Sequence, residues 1–241
     1  MKRFLLLVWL LSGSNASAVD GGAILEQVDR NLAPPSYEMY RKLINVEPDG
    51  KRREYVLYTA KQGRDRMVSL FLSPATDAGR TTLRQGDNMW MFIPEVGRPL
   101  RITSLQSMVG GIFNNSDLMR LEYSVEYDVA GLEDGTEGYV LDLKAKTPEV
   151  AYDRLKMWVD KQLMLPTKIE AYAASGLLIK TLSYGKVQDF GDGIMRPSML
   201  QTDSPLHVGY KAVMLFDKIK RRDFADEVFT LNYMPRIKEL R

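Results

Sequence analysis

The chain has 241 residues, of which 33 are Lys or Arg, 31 are Asp or Glu, and none is Cys. The missing cysteines exclude disulfides and thiolate metal sites. The nearly balanced charge argues against a nucleic-acid-binding protein, since such proteins present a basic face to phosphates.

The first 18 residues have the pattern of a secretory signal peptide. Lys2 and Arg3 form a basic start, residues 4–11 are an uninterrupted apolar run, and Ala16-Ser17-Ala18 matches a small-residue cleavage site. The apolar run is far shorter than the roughly 20 residues of a membrane-spanning helix. We therefore expect cleavage after Ala18, which leaves 31 basic against 31 acidic side chains, and a single domain over residues 19–241.

The pattern then changes from helical to β. Residues 23–32 place apolar side chains at helical spacing, Pro34-Pro35 ends this helix, and a second short helix is predicted around residues 37–43. From residue 54 onward, apolar and polar residues alternate as in strands. The predicted strands are residues 54–60, 66–72, 81–85, 88–93, 100–103, 121–128, 138–144, 153–160, 167–173, 177–184, 195–201 and 208–219.

These strands describe a mainly β protein with a large antiparallel sheet. No helix-length connection separates the strands after residue 121, so neighbours in sequence are expected to pair antiparallel. A sheet of this size must curl or close, because long flat sheets are unstable. Residues 68–72 and 89–93 are apolar on both faces. That pattern is typical of a strand buried between two layers, and it also occurs in a strand that lines an apolar cavity.

Residues suited to catalysis are scarce. His207 is the only histidine, it follows Pro205 in a predicted turn, and a surface position explains it better than a role as general base. The chain has no Gly-x-Ser-x-Gly turn, no His-Glu-x-x-His motif and no phosphate-binding glycine loop. We therefore predict no catalytic residue, no metal site, no cofactor and no enzymatic activity.

The loop at residues 106–119 is unusually apolar. Its Gly, Asn and Ser residues predict a surface loop. Large apolar residues are nevertheless set among them, including Met108, Ile112, Phe113 and Met119. Methionine is flexible and polarisable, which suits acyl chains of variable shape, although it also fills irregular cores. An apolar surface loop either folds over a cavity or is itself a contact site.

Several motifs in residues 73–118 are shared with a known family. They are Ser73-Pro74, Asp77, Gly79, Gly86-Asp87-Asn88-Met89-Trp90, Phe92, Pro94, Gly97-Arg98, Arg101-Ile102, Met108, Gly110 and Asp117-Leu118. On these residues the chain resembles the LolA-like outer-membrane lipoprotein-sorting proteins, in particular the branch associated with RND-type exporters. The loop departs from the family pattern, since Gly110-Gly111-Ile112-Phe113 stands where relatives often have Gly-Ser-Phe-Met.

The resemblance implies an unclosed antiparallel β half-barrel with a few α-helices packed on its concave side. It also implies transient binding of acyl chains, from lipoproteins or other lipids, in the periplasm of a Gram-negative bacterium. Under this interpretation the predicted lipid-binding residues are Leu70, Trp90 and Phe92 in the wall, and Met108, Ile112, Phe113 and Met119 in the lid. The alternative is an accessory protein whose half-barrel is filled by its own helices and which docks on an RND-type exporter in the inner membrane.

Overall fold

The structure is a computed structural model that describes residues 19–107 and 109–241. The predicted signal peptide and Met108 therefore lie outside the described residues. Among the described residues, no helix combines the length and the apolar character needed to cross a membrane.

Thirteen strands account for nearly half of the described residues. Their bounds are β1 Tyr37–Val46, β2 Arg52–Gln62, β3 Arg66–Ser73, β4 Thr81–Gln85, β5 Asn88–Phe92, β6 Pro99–Ile102, β7 Tyr127–Asp134, β8 Gly138–Ala145, β9 Arg154–Asp160, β10 Leu165–Tyr172, β11 Leu178–Asp189, β12 Met195–Asp203 and β13 Lys211–Arg221.

All thirteen described strands belong to one antiparallel sheet, in the order β6-β5-β4-β3-β2-β1-β13-β12-β11-β10-β9-β8-β7. The predicted pairing in sequence order from β7 to β13 is confirmed. The pairing of β1 with β13 joins the two halves of the sheet at its centre, so β6 and β7 lie at opposite edges and the sheet stays open.

The helices are few and short. Helix α1 Gly21–Leu32 begins at Asp20, whose side chain accepts a hydrogen bond from Gly22 N at 2.9 Å. This confirms the helix predicted at residues 23–32. Two four-residue helices follow β6, namely α2 Asn115–Leu118 and α3 Tyr123–Glu126, and two 3₁₀ helices, Asp226–Phe229 and Met234–Leu240, end the chain.

Two local predictions were wrong. The short helix predicted at residues 37–43 is instead strand β1. It pairs continuously with β2 and, apart from one bulge at Met39, with β13, and this pairing overrides local propensity. The strand predicted at residues 121–128 is broken by α3, whose first backbone N–H groups are bound by Asp29 of α1. Strand β7 begins only after that helix.

The sheet separates two apolar clusters. On its concave side, α1 and the connection between β6 and β7 pack against the sheet in a cluster we call the concave core. On its outer side, the C-terminal segment (residues 224–241) packs in a cluster we call the outer core. The concave core includes Leu25, Val28, Leu43, Leu57, Phe71, Met89, Phe113, Met119, Met157, Ile169 and Met214, and the outer core includes Tyr58, Val68, Leu70, Leu83, Phe92, Val228, Phe229 and Ile237.

Candidate functional site

Residues 103–126, which we call the crossing segment, run from edge strand β6 to edge strand β7 across the concave side. Four apolar side chains of this segment are buried in the concave core, namely those of Val109, Phe113, Leu118 and Met119. The apolar side chains that looked unusual for a surface loop therefore point inward and cover the sheet.

A buried ion pair holds the middle of the crossing segment. Lys180 Nζ of β11 donates to Ile112 O at 2.6 Å and to Asp117 Oδ2 at 2.8 Å. Both side chains are almost inaccessible to solvent, at 4% and 3%. Asp117 also accepts from Tyr152 Oη at 2.9 Å and from the backbone N of Asn114 at 3.0 Å. The pair thus fixes helix α2 to the sheet.

Two arginines bind the next carbonyls along the segment. Arg41 Nη1 of β1 donates to Leu118 O at 2.6 Å, and its Nη2 donates to Thr59 Oγ1 at 2.7 Å and to Ser69 Oγ at 2.9 Å. Burial lowers the pKa of the Arg41 guanidinium to about 10. The side chain therefore stays charged at neutral pH, where a charged donor to a carbonyl is a strong hydrogen bond.

The second arginine is Arg84 of β4. Its Nη1 donates to Met119 O at 3.1 Å, and its Nη2 pairs with the buried carboxylate of Glu126. Burial raises the pKa of the Glu126 carboxyl, and the positive charge of Arg84 opposes that shift. Sheet cations therefore bind three carbonyls of the crossing segment, those of Ile112, Leu118 and Met119.

The end of the crossing segment is attached to α1. Asp29 accepts from Tyr123 N and Ser124 N, both at 2.8 Å, through its two carboxylate oxygens. Burial raises the pKa of this carboxyl. Glu122, one residue before α3, pairs with Lys61 of β2 at 3.2 Å and with Arg64 at 2.7 Å.

A small cavity remains between the sheet, α1 and the crossing segment, with a volume of about 40 Å³. Its lining is partly apolar and partly charged. The residues are Asp29, Leu32, Ala33, Tyr37, Met39, Arg41, Lys61, Met67, Asp117, Leu118, Arg120, Leu121, Glu122, Arg196, Leu200, Met214 and Phe216. A surface groove of about 450 Å³ shares Asp29, Ala33 and Glu122 with the cavity and so adjoins it.

The structure separates the predicted lid from the predicted wall. Ile112, Phe113 and Met119 are buried in the crossing segment, and Met108 lies outside the described residues. Leu70, Trp90 and Phe92, the predicted wall, belong to the outer core under the C-terminal segment. The face assignment was therefore wrong by one residue, and a shift of one residue in a strand reverses the face.

The side chains that do face the crossing segment from these strands are the alternate ones. Met67 and Phe71 of β3 and Met89 and Met91 of β5 all belong to the concave core. The apolar pattern of the two strands is equal on both faces, so it cannot distinguish them. The two faces can be distinguished only through the C-terminal segment, whose apolar residues need an apolar sheet face to pack against. They pack against the outer face.

The sequence pattern does not reveal that several cationic side chains are buried. Arg41, Arg84, Lys180 and Arg196 are all less than 5% exposed. The one available signal was in β1, where Arg41 occupies an inward position between Met39 and Leu43 in strict alternation. His207 is exposed in the turn after β12 and stacks edge-on against Tyr210. Within the described residues, no group of three or more His, Asp or Glu side chains is placed to bind a metal ion.

Comparison with known proteins agrees with this architecture. A family model whose description reads "Uncharacterized protein" matches residues 63–236. A LolA superfamily protein from Nitrosomonas europaea superposes with a TM-score of 0.81 at 27% identity, over 90% of this chain and 100% of the other. The chain belongs to the LolA-like family. The predicted fold, a mainly β unclosed half-barrel with helices on its concave side, is confirmed.

Two further solved structures share the fold at lower identity. A DUF1329 family protein from Desulfovibrio piger has a TM-score of 0.77 at 22% identity, over 89% of this chain and 97% of the other. A domain from Vibrio parahaemolyticus named for outer-membrane lipoprotein sorting has a TM-score of 0.74 at 18% identity, over 90% and 98%. No curated protein matches the chain.

Proposed function

We propose that this LolA-like protein is a periplasmic carrier that binds the acyl chains of a lipoprotein or another lipid. The chains would lie between the concave face of the sheet and the crossing segment. The observation that carries the proposal is the construction of that segment. It presents Phe113 and Met119 to an apolar sheet face, and sheet cations hold it through its backbone carbonyls.

The conformation described here is closed. A cavity must offer about 10–15 Å³ to hold one water molecule, so the cavity of about 40 Å³ has room for about three waters and for no acyl chain. Uptake of lipid therefore requires that the crossing segment moves away from the sheet. In that movement the ligand replaces Phe113, Leu118 and Met119 against the concave core.

This exchange keeps the affinity moderate. Each buried CH₂ group stabilises the complex by about 0.8 kcal/mol, but displacement of the crossing segment withdraws its own apolar side chains from the same surface. The net binding free energy is therefore only the difference between the apolar contacts of the ligand and those of the displaced crossing segment. A small difference suits a carrier that must release its cargo. We assign the lid role to Ile112, Phe113 and Met119, and we move the wall role to Met67, Phe71, Met89 and Met91.

A second candidate is the accessory protein that docks on an RND-type exporter. One observation favours this second candidate: α1 and the crossing segment already fill the concave side of the half-barrel. Native mass spectrometry of the gently purified protein, followed by titration with a fluorescent fatty acid, separates the two candidates. Co-purified lipid and saturable probe binding support the carrier, whereas absence of both supports the accessory protein.

Arg41→Met is expected to accelerate probe association about tenfold. The substitution removes the charged hydrogen bond to Leu118 O, which contributes about 1.5 kcal/mol to closure, while Thr59 and Ser69 keep their mutual hydrogen bond of 2.7 Å. Stopped-flow fluorescence measures the rate. An unchanged rate, at unchanged thermal stability, would show that Arg41 does not hold the crossing segment closed.

Trp90→Phe is expected to leave the dissociation constant of the probe within about twofold of wild type. Trp90 packs on the outer core, on the side of the sheet opposite to the crossing segment, so it cannot touch a ligand bound in the concave core. Equilibrium titration with the same probe checks this. A loss of affinity of tenfold or more would restore the wall originally predicted from the sequence and place the ligand on the outer face.

A further inference from the structure

The cavity beneath the crossing segment contains three guanidinium groups, those of Arg41, Arg120 and Arg196. None of them forms an ion pair with a carboxylate of the described residues. Other cations are already paired with two of the carboxylates in the lining. Lys61 binds Glu122 at 3.2 Å, and Lys180 binds Asp117 at 2.8 Å.

The third carboxylate of the described lining is also occupied. Asp29 uses its two oxygens to accept the backbone N–H groups of Tyr123 and Ser124. The cavity therefore combines three positive charges with one carboxylate that is turned to the backbone. Buried charges without a partner are costly, and proteins normally pair or neutralise them.

Arg196 is the most isolated of the three. Its side chain is 2% exposed and lies over the ring of Phe216, with 4.4 Å between the guanidinium carbon and the ring centre. Within the described residues its one hydrogen bond runs from Nε to Pro197 O at 3.3 Å, so its two terminal nitrogens have no acceptor. Burial, together with repulsion from Arg120 and Arg41, lowers the pKa of Arg196 to about 10.

The other two arginines also keep donors for a ligand. Arg41 Nε is buried without a hydrogen-bond partner among the described residues. Arg120 Nη1 donates to the hydroxyl groups of Tyr123 and Tyr184, which are neutral acceptors. The geometry is that of a site prepared for an anion, since guanidinium groups bind phosphate and carboxylate oxygens through paired N–H donors.

We infer that the cavity receives one phosphate-type oxyanion, and that the cargo is an acidic lipid whose head group reaches Arg41, Arg120 and Arg196. Its acyl chains displace residues 113–119 from the concave core, while Arg120 stays near the end of the crossing segment that Asp29 and Lys61 hold. This inference rests on the proposed carrier function. The cavity volume of about 40 Å³ suits a small oxyanion, and a neutral lipid leaves the three charges unpaired.

The adjoining groove gives the head group access from solvent. It lies between the end of α1 and the crossing segment, and Asp29, Ala33 and Glu122 line both the groove and the cavity. Arg30, Arg64 and Arg221 line the groove together with Glu26. A phosphate can therefore enter at the rim of the half-barrel without crossing the apolar part of the concave core.

The test compares two soluble lipids with identical chains, dioctanoyl phosphatidic acid and dioctanoylglycerol, as competitors of the fluorescent fatty acid. The wild-type protein is expected to prefer the phosphatidic acid by about tenfold, the size of one charge-assisted contact. Arg196→Met is expected to reduce the preference to about twofold, and Arg196→Lys to retain most of it. Arg98→Met, the same substitution at an exposed turn position, serves as the matched control and leaves the preference intact.

Thermal unfolding separates a binding role of Arg196 from a structural one. Methionine keeps the packing over Phe216 and removes an unpaired buried charge, so Arg196→Met is expected to unfold at or above the wild-type temperature. A lower unfolding temperature with an unchanged lipid preference would overturn the inference and make Arg196 a structural residue.

The remaining outcomes distinguish the possible ligands. Equal affinity for the two lipids overturns the anion site and leaves the carrier function standing, whereas absence of binding for both overturns the carrier function itself. Inorganic phosphate alone is titrated against the unfolding temperature. A stabilisation by phosphate that is lost in Arg196→Met, without any lipid preference, would assign the site to a free anion and overturn the lipid head group.

Discussion

A disulfide between Asn45→Cys and Gly111→Cys is expected to weaken binding of the acyl probe at least about a hundredfold. Asn45 lies near the end of β1 and Gly111 in the crossing segment, and a Cβ atom built at Gly111 would lie 2.5 Å from Asn45 Cγ. Since Sγ of a cysteine occupies nearly the position of that Cγ, the two thiols come within bonding reach. The bond would hold the crossing segment against the sheet, where the cavity admits no acyl chain.

The chain suits this experiment because it has no cysteine of its own. The amide atoms of Asn45 are buried without hydrogen-bond partners among the described residues, so replacement of this side chain breaks no polar contact in the described structure. Binding is measured by fluorescence titration before and after reduction, and thiol labelling gives the fraction of closed disulfide. Reduction should restore the affinity to within about threefold of wild type, because the cross-link alone blocks the ligand.

The two single-cysteine variants serve as controls. Asn45→Cys should bind the probe like the reduced double variant in either redox state. In Gly111→Cys the new Cβ would lie 2.4 Å from the amide atoms of Asn45, so this variant controls only for redox state, and its affinity should not change on reduction. If the fully oxidised double variant binds as tightly as wild type, the acyl chain does not enter beneath the crossing segment. The accessory-protein hypothesis then becomes the better account of the closed half-barrel.

Much of the sheet could be predicted because alternation is a local property. Residues 81–85 are predicted and observed with the same limits in β4 Thr81–Gln85, and the strands from β7 to β13 pair in the predicted order. In strands such as β8 and β9 one face is mainly apolar and the other mainly polar, so the residue sequence alone defines the strand and its register. Short turns then bring each strand back beside its predecessor.

The errors arise where distant residues determine the outcome. Residues 37–46 form a strand because β2 and β13 pair with them, and β13 lies more than 160 residues away along the chain. Strands β3 and β5 are apolar on both faces, so only the position of the C-terminal segment reveals that Leu70, Trp90 and Phe92 face outward. Local pattern contains no information about either contact.

The buried cations are hidden from sequence for a related reason. Charged residues are normally solvated, and a lysine such as Lys180 in a β-strand predicts an exposed face. Its burial depends on Asp117 and Ile112 O, which belong to the crossing segment, more than 60 residues away along the chain. Lys180, Arg41 and Arg84 therefore each need an acceptor from the crossing segment, and the crossing segment in turn is held to the sheet by these cations.

Lys180→Met is expected to lower the free energy of unfolding by about 3 kcal/mol. The substitution leaves the carboxylate of Asp117 buried without its cation, and an uncompensated buried charge costs about 3–5 kcal/mol. Ile112 O loses its donor at the same time. Urea unfolding followed by tryptophan fluorescence measures the change. Lys180→Met/Asp117→Asn is expected to recover more than half of the loss, because the unpaired charge is removed.

Lys168→Met provides the matched control. Lys168 binds Glu170 at 3.0 Å on the neighbouring strand β10, but the two side chains are 39% and 22% exposed. An exposed pair contributes about 1 kcal/mol or less, so this variant should stay close to wild type. If Lys180→Met costs no more than Lys168→Met, the buried pair does not anchor helix α2. Closure of the crossing segment would then depend on Arg41, Arg84 and the apolar contacts of Phe113 and Met119.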